Sequence, residues 1–272
     1  MMCFKRVITT NQRFCRNISL KSTVSVEELQ KFMANNWWDA DGPAKPLYSF
    51  NKLRVPFVER GIRSCQKSVV AKATLESPLV GCKILDVGCG AGILSESLSR
   101  LGANVTGIDP NENSIGVALE RAQKMKLKNV SYAVKTVEDV NPPNAVSPTL
   151  FDAIVASEVI EHVENQKLFI KKCIELLKPG GSLFVTTQNR TAASWVFVIF
   201  GAEYVLNIVP RGTHDWAKFL TPDELIFEAE ENNCQLRQLR GYFYNPIADN
   251  WTWSKDTSIN YALHVQKSSH GK

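Results

Sequence analysis

Two short stretches of the chain carry residue types that do chemistry. The first is Ser157-Glu158-Val159-Ile160-Glu161-His162. If this stretch turns helical, Glu158, Glu161 and His162 stand at i, i+3 and i+4 and share one face. Two carboxylates and an imidazole gathered there repel one another unless something cationic joins them. Hard oxygen ligands with one nitrogen suit a divalent ion, Mg²⁺ first and Zn²⁺ as the alternative. Such an ion binds a catechol-type hydroxyl and lowers its pKa. The metal-free alternative makes Glu161 or His162 a general base. The bland alternative is a helix start with solvated acids.

The second stretch is Asp86-Val87-Gly88-Cys89-Gly90-Ala91-Gly92. Glycines let a backbone turn tightly and approach a ligand, and a following helix offers free N–H groups. A dinucleotide site would want GxGxxG under a pyrophosphate. This loop is GxGxG, with Asp86 two residues before the first glycine. An acid there repels a pyrophosphate but suits a cationic ligand or an ammonium group. Asp109 ends the next apolar run, where a carboxylate accepts both hydroxyls of a ribose. Glu138 lies after the third, where an adenine would sit.

These stretches need elements to hold them. The apolar runs predict strands at Lys83–Val87, Asn104–Asp109, Val130–Val134, Phe151–Ser157 and Ser182–Thr187. Helices are expected at Ile93–Leu101, Ser114–Met125 and Leu168–Leu177, the last closed by Lys178-Pro179-Gly180-Gly181. Strands apolar throughout and alternating with helices mean a parallel sheet covered on both faces, in the open doubly wound form. Upstream, Val26–Met33 and Asn51–Arg63 have helical spacing, with Trp37-Trp38-Asp39 between them. The Trp pair either lines a ring pocket or packs in a core. Downstream, Thr221-Pro222-Asp223-Glu224 starts a helix running to about Asn232. Gln235–Tyr244 and Asn260–Gln266 are late strands, and Trp251-Thr252-Trp253 has no assignment.

Composition narrows the class. At 272 residues, 44% hydrophobic and 22% charged, the chain can bury a full core. No apolar run reaches a membrane span. The net charge of +5 resides in residues 1–26, which hold Lys5, Arg6, Arg13, Arg16 and Lys21 and no acid. The remainder is near neutral, which argues against nucleic acid as a partner. A basic, acid-free, hydroxyl-rich N-terminus without an apolar centre has the composition of a mitochondrial transit peptide. Seven scattered cysteines with no CxxC pair support neither disulfides nor a cysteine zinc site, and most are expected to be buried.

An acid–glycine loop, a ribose acid and an adenine loop in this order resemble the class I S-adenosylmethionine-dependent methyltransferases. The wider pattern resembles the ubiquinone-biosynthesis O-methyltransferases, in their fungal mitochondrial form. It rests on Trp37-Trp38-Asp39, Asn51-Lys52-Leu53-Arg54, Leu85–Ser97, Ser157–Val163, Asn189-Arg190, Gly201-Ala202-Glu203-Tyr204, Val209–Asp215 and Tyr244-Asn245-Pro246.

The resemblance implies an α/β class I fold, a doubly wound and mostly parallel sheet with an apolar insertion after the fifth strand. The chain is expected to divide into a transit peptide at 1–24, an N-terminal helical cap at 25–80 and a methyltransferase domain at 81–272 that includes insertion 190–216. It implies methyl transfer to a ring hydroxyl of a polyprenyl-dihydroxybenzoate and of demethylubiquinol. Cofactor contacts are expected at Arg54, Asp86, Gly88, Gly90, Asp109, Glu138 and Ser157, and metal ligands at Glu158, Glu161 and His162. Ser157 stands where the family has Met, so a backbone contact there survives and a side-chain packing contact does not. An arginine fork at Arg54 clamps a carboxylate; the competing expectation is a surface arginine.

Glu161 and His162 are the catalytic candidates, with His214 a secondary base. The expected setting is the matrix face of the mitochondrial inner membrane, as a peripheral protein in a multi-subunit ubiquinone-biosynthesis complex. Arg190 and Arg211 flank an apolar stretch that could meet that surface, act as a substrate lid or form core helices. Two rivals remain chemically close. A C-methyltransferase needs a base at carbon and no catechol-binding metal. A non-catalytic scaffold would have lost Asp86, Gly88 or Glu161, and all three are present.

Overall fold

The computed structural model of the chain describes residues 37–39, 42, 44–66, 71–141, 148–194 and 216–269. The expected transit peptide, the helix expected at Val26–Met33, His214 and most of the apolar insertion lie outside the described residues.

The predicted alternation is the observed one. Strand β1 (Lys83–Val87) leads to α2 (Ile93–Arg100), β2 (Asn104–Asp109) to α3 (Glu112–Lys124), then β3 (Val130–Val134) and β4 (Phe151–Ser157). Helix α4 (Gln166–Glu175) precedes β5 (Leu177–Gln188). After α5 (Pro222–Glu231) the chain adds β6 (Cys234–Asn245), β7 (Asn250–Ser254) and β8 (Asn260–Lys267). Upstream of them all lies α1 (Lys45–Cys65). The strands form one sheet in the order β3-β2-β1-β4-β5-β8-β6-β7. The first five are parallel and the last three antiparallel. Strand order reverses between β1 and β4, so the crevice opens at the C-terminal ends of those strands.

Local chemistry accounts for most boundaries. Asn111 caps α3 by accepting from Asn113 and Ser114 N–H. Thr221 and Glu224 form a reciprocal capping box at α5, with Pro222 in the first turn. Three features depart from the sequence expectation. Helix α1 starts at Lys45 rather than Asn51, because Pro46 occupies the first turn, where a missing N–H leaves nothing unpaired. Strand β5 starts at Leu177, ahead of Lys178-Pro179-Gly180-Gly181, and pairing with β4 shifts register between Phe151 and Ala153. Proline and glycine sit where a ladder is already interrupted. Strand β7 is an edge strand that alternation alone did not reveal.

Both sheet faces are covered. Phe50, Phe57, Val58 and Ile62 of α1 pack with Leu94 and Leu98 of α2 against one face. Phe169, Ile170 and Cys173 of α4 join Leu225 and Ala229 of α5 on the other. Helix α1 lies close because residue 61 is glycine: a Cβ there would meet Phe184 Cε1 at 2.4 Å. Cys82, Cys89, Cys173 and Cys234 are buried free thiols and Cys65 is half-buried. Among the described residues, no helix is long and apolar enough to cross a membrane.

Candidate active site

The glycine loop joins the tip of β1 to α2. Gly88 and Cys89 N–H donate to Ile108 O at 2.8 and 3.0 Å, which ties the loop to β2. Gly88 has φ +68°, and a Cβ there would meet Val159 Cγ2 at 2.5 Å. The loop therefore rests directly on the turn that carries the acidic cluster. Asp109 accepts Gly90 N–H at 2.9 Å on one oxygen and Asn111 N–H at 2.8 Å on the other. Each oxygen keeps a lone pair for a ribose hydroxyl. Burial raises the Asp109 carboxyl, against the pull of those two N–H groups. Asp86 is 2% exposed and accepts from Ser95 Oγ at 2.6 Å. Burial pushes its carboxyl up to about 6, opposed by Ser95 and Arg54 and aided by Asp109.

Both residues of the Trp pair pack on this loop, half-buried. The Trp37 ring lies 3.4 Å from where a Gly90 Cβ would stand. Trp38 Nε1 donates to Ala91 O at 3.1 Å, and the Arg121 guanidinium lies 4.0 Å from its ring centroid.

Arg54 is not a surface residue: it is 5% exposed. Its Nε donates to Asn51 Oδ1 at 2.5 Å, Nη1 to Ser157 Oγ at 3.0 Å and Nη2 to Leu47 O at 3.4 Å. Two of its five N–H groups remain for a ligand carboxylate. Burial pulls the guanidinium down to about 10, opposed by the charges of Asp86 and Glu158. Arg54 thus lies between the glycine loop and the acidic turn. The Ser157 hydroxyl is engaged within the protein, with Arg54 and, at 2.8 Å, with Thr186 Oγ1.

The acidic turn corrects one expectation. Glu158, Glu161 and His162 do not line one face of an α-helix. Glu158 has φ +58°, outside the helical region, and only Ile160–His162 form a single 3₁₀ turn. The turn is set by buried Ile160 and by Glu158 N–H donating to Thr186 O at 2.8 Å. Glu158 Oε1 accepts from Tyr242 Oη at 2.6 Å and Thr186 Oγ1 at 2.8 Å, and Oε2 from Gln188 Nε2 at 2.6 Å. Glu161 is 3% exposed and accepts from Thr187 Oγ1 at 2.9 Å through Oε2. Its Oε1 is buried with no hydrogen-bond partner, as is Gln188 Oε1. Burial pushes the Glu161 carboxyl up to about 7, with the Glu158 charge adding to the rise and His162 opposing it.

Among the described residues, no group of three His, Cys, Asp or Glu side chains is gathered as a metal site. The donor chemistry nevertheless fits a divalent ion. Glu161 Oε1 lacks a donor, Glu158 Oε2 has accepted one bond and keeps a lone pair, and His162 lies close enough to act on Glu161.

The remaining candidates fall elsewhere. Glu138 sits in a 3₁₀ turn after β3, near enough to Cys173 of α4 to help burial raise that thiol. Arg190 is tied to Glu224 and to Phe219 O, so this end of the apolar stretch anchors α5 instead of presenting a free cation. Thr186, Gln188 and Tyr242 were missed as site residues. Polar side chains following the apolar run Leu183–Val185 at the end of β5 were a usable signal, since strand C-terminal ends face the crevice; Tyr242 gave none.

A family model described as a methyltransferase domain matches residues 79–240. The mitochondrial ubiquinone biosynthesis O-methyltransferase of Rattus norvegicus is 41% identical over 267 residues, covering 97% of this chain and 75% of that protein. The Homo sapiens protein of the same name is 41% identical over 98% of this chain and 72% of its own length. A ubiquinone biosynthesis O-methyltransferase of Bradyrhizobium diazoefficiens is 42% identical over 89% of this chain and 93% of its own. Among solved structures, an N-methyltransferase of Bradyrhizobium japonicum in complex with S-adenosyl-L-homocysteine shares the fold, with TM-score 0.54, 17% identity and coverage of 89% and 96%. Relatives this similar along nearly the whole length, on a class I sheet with its glycine loop intact, establish that the chain belongs to the ubiquinone biosynthesis O-methyltransferases, S-adenosylmethionine-dependent enzymes.

Proposed function

We propose that the chain methylates a ring hydroxyl of a 3,4-dihydroxy-5-polyprenylbenzoate and of a demethylubiquinol. The crevice between the glycine loop and the acidic turn is the reaction site. The observation that carries this reading is Glu161, whose buried Oε1 lacks a hydrogen-bond partner beside a second carboxylate. An acceptor oxygen left in that state is suited to a phenolic hydroxyl or to a cation that holds one.

Arg54 receives the cofactor carboxylate on its two remaining N–H groups. Asp109 receives the ribose hydroxyls, and Asp86 attracts the ammonium group. Gly88 and Gly90 let the backbone close around them, while Glu138 follows β3 on the adenine side. Glu158, Glu161 and His162 would hold a divalent ion, Mg²⁺ or Zn²⁺. When bound, the cofactor supplies a methyl on a sulfonium, and the ion supplies a Lewis acid that lowers a hydroxyl pKa. The chain's own task is to hold the acceptor oxygen in line with that methyl and to take or share its proton at Glu161 or His162. His214 is a further base candidate.

Relatives named as mitochondrial and the acid-free basic leader support a mitochondrial location. A polyprenyl tail partitions into lipid, so we place the enzyme on the matrix face of the inner membrane as a peripheral protein. Its partners there are the other enzymes of ubiquinone biosynthesis. The test is methyl transfer from labelled S-adenosylmethionine to short-chain versions of both acceptors, with EDTA and after adding back Mg²⁺ or Zn²⁺. The reading expects activity on both, lost with chelator and restored by metal. Full activity in EDTA would remove the metal and leave the metal-free base. No transfer to either acceptor by a protein that binds cofactor would overturn the substrate assignment.

A further inference from the structure

The hydrogens available around Glu158 fix the direction of every bond that holds it. Thr186 has one hydroxyl hydrogen, which it donates to Glu158 Oε1 at 2.8 Å. Across its 2.8 Å contact with Ser157 it must therefore accept. Ser157, with its own hydrogen so used, accepts from Arg54 Nη1 at 3.0 Å. The chain of dipoles runs one way, from a buried guanidinium through two hydroxyls to a carboxylate, an arrangement in which each bond polarises the next. Tyr242 donates its one hydrogen to the same oxygen at 2.6 Å.

We propose that Thr186 and Tyr242 are positioning residues that fix Glu158 for a divalent cation. This rests on the metal reading above. Glu158 has a left-handed backbone and lies outside the single 3₁₀ turn that follows it, so no helix face restricts its three rotatable bonds. Its oxygens are located by β5 and β6, through donors 28 and 84 residues distant. Tyr242 is itself closely packed. It is 1% exposed, and ring centroids of Phe50, Trp251 and Trp253 lie 4.8, 5.6 and 6.4 Å from its own. The two tryptophans without a sequence assignment thus wall the residue whose hydroxyl sets the carboxylate. Trp251 is anchored in turn, its Nε1 donating to Pro46 O at 2.9 Å. Groups that orient a metal ligand from behind typically account for about 10–100-fold in metal affinity.

A residue that only satisfies a buried carboxylate would change stability and leave cation affinity per folded molecule alone. The experiment is Mn²⁺ binding, read from the free-ion electron paramagnetic resonance signal, on the full chain and on Tyr242→Phe and Thr186→Val. S-adenosylhomocysteine affinity and Tm are measured alongside. The expected result is Mn²⁺ affinity weakened about 10–100-fold in each variant, with S-adenosylhomocysteine affinity held within about threefold in Tyr242→Phe, whose hydroxyl lies outside the Arg54–Ser157–Thr186 chain. If the parent chain binds Mn²⁺ and both variants bind it equally well, this inference falls and the metal reading stands. If the parent chain binds none, both fall. Should Tyr242→Phe not fold, Thr186→Val decides, since it removes a hydroxyl at nearly constant volume.

Discussion

At the glycine-loop end of the crevice the polar contacts close over short stretches of chain. Ser95 reaches Asp86 across nine residues, Asn111 reaches Asp109 across two and Gly90 reaches it across 19. At the acidic turn the partners of Glu158 come from 28, 30 and 84 residues away. The first region is a backbone device that one strand–loop–helix unit and its neighbour can build. The second is assembled from a turn and side chains on two strands, β5 and β6, and exists only when the sheet is complete. A common cofactor can be held by the first in many proteins, while the second can be rebuilt for another acceptor by changing β5 and β6. Gly88 and Arg54 are where the two regions meet, through Val159 and Ser157.

The largest effect is expected at that junction. Gly88→Ala places a Cβ 2.5 Å from Val159 Cγ2 at a backbone φ of +68°. The left-handed conformation alone costs a residue with a Cβ about 1–2 kcal/mol, and the contact adds to it. S-adenosylhomocysteine affinity by calorimetry should fall by about 100-fold or more. Adding Val159→Ala should recover the steric part and not the conformational part. Full recovery by the double variant would mean that the loop's own conformation matters less than its seat on the turn.

Arg54→Lys comes next. Lysine keeps a charge but loses the planar fork that bonds Asn51, Ser157 and Leu47 at once. Bonds to charged groups contribute about 1.5–3 kcal/mol, so cofactor affinity should fall by about 10–100-fold. If Mn²⁺ affinity falls with it, Arg54 couples the two regions; if only cofactor binding falls, they are independent.

The same contrast explains what the sequence disclosed. The placement of Asp86, Gly88 and Asp109 around the glycine loop was legible because their spacing is local and the strands around them are apolar on both faces. So were five strand positions and the helix start at Thr221. Glu158, Glu161 and His162 were legible as residue types, but not in their geometry. Helical spacing was a reasonable expectation until Thr186 O captured the Glu158 N–H and turned the backbone left-handed. Tyr242 looked like one more aromatic in a β-strand, because nothing in its neighbours records a carboxylate 84 residues away. Trp251 and Trp253 were opaque for the same reason.

A smaller effect, on stability, tests whether the glycine-loop end is built for its ligand or for its own comfort. Asp86 is raised from 3.8 to about 6, chiefly by burial. The folded state therefore holds this proton more tightly than the unfolded chain does. Its contribution is fully present below pH 3.8 and is lost as pH rises through about 6. The loss is on the order of 3 kcal/mol. Asp86→Asn keeps an acceptor for Ser95 and removes the titration, so its Tm relative to the parent should rise between pH 4 and pH 7. Its cofactor affinity should fall over the same interval. A flat difference in Tm would mean that Arg54 already neutralises the acid.

The smallest expected change probes how self-contained the loop is. Trp38 comes from 53 residues upstream to donate to Ala91 O, and Arg121 stacks on its ring. Trp38→Phe removes the donor and keeps an aromatic face for the guanidinium. One neutral hydrogen bond is worth about 0.5–1.5 kcal/mol, so S-adenosylhomocysteine should bind about two- to tenfold more weakly. Trp38→Ala should lose a further increment of about 0.5–1 kcal/mol with the cation–π contact. A loss that stays below that of Arg54→Lys keeps the loop a local device with an accessory brace. A loss that exceeds it would make the segment before α1 part of the cofactor site, and the two ends of the crevice would then be alike in depending on distant chain.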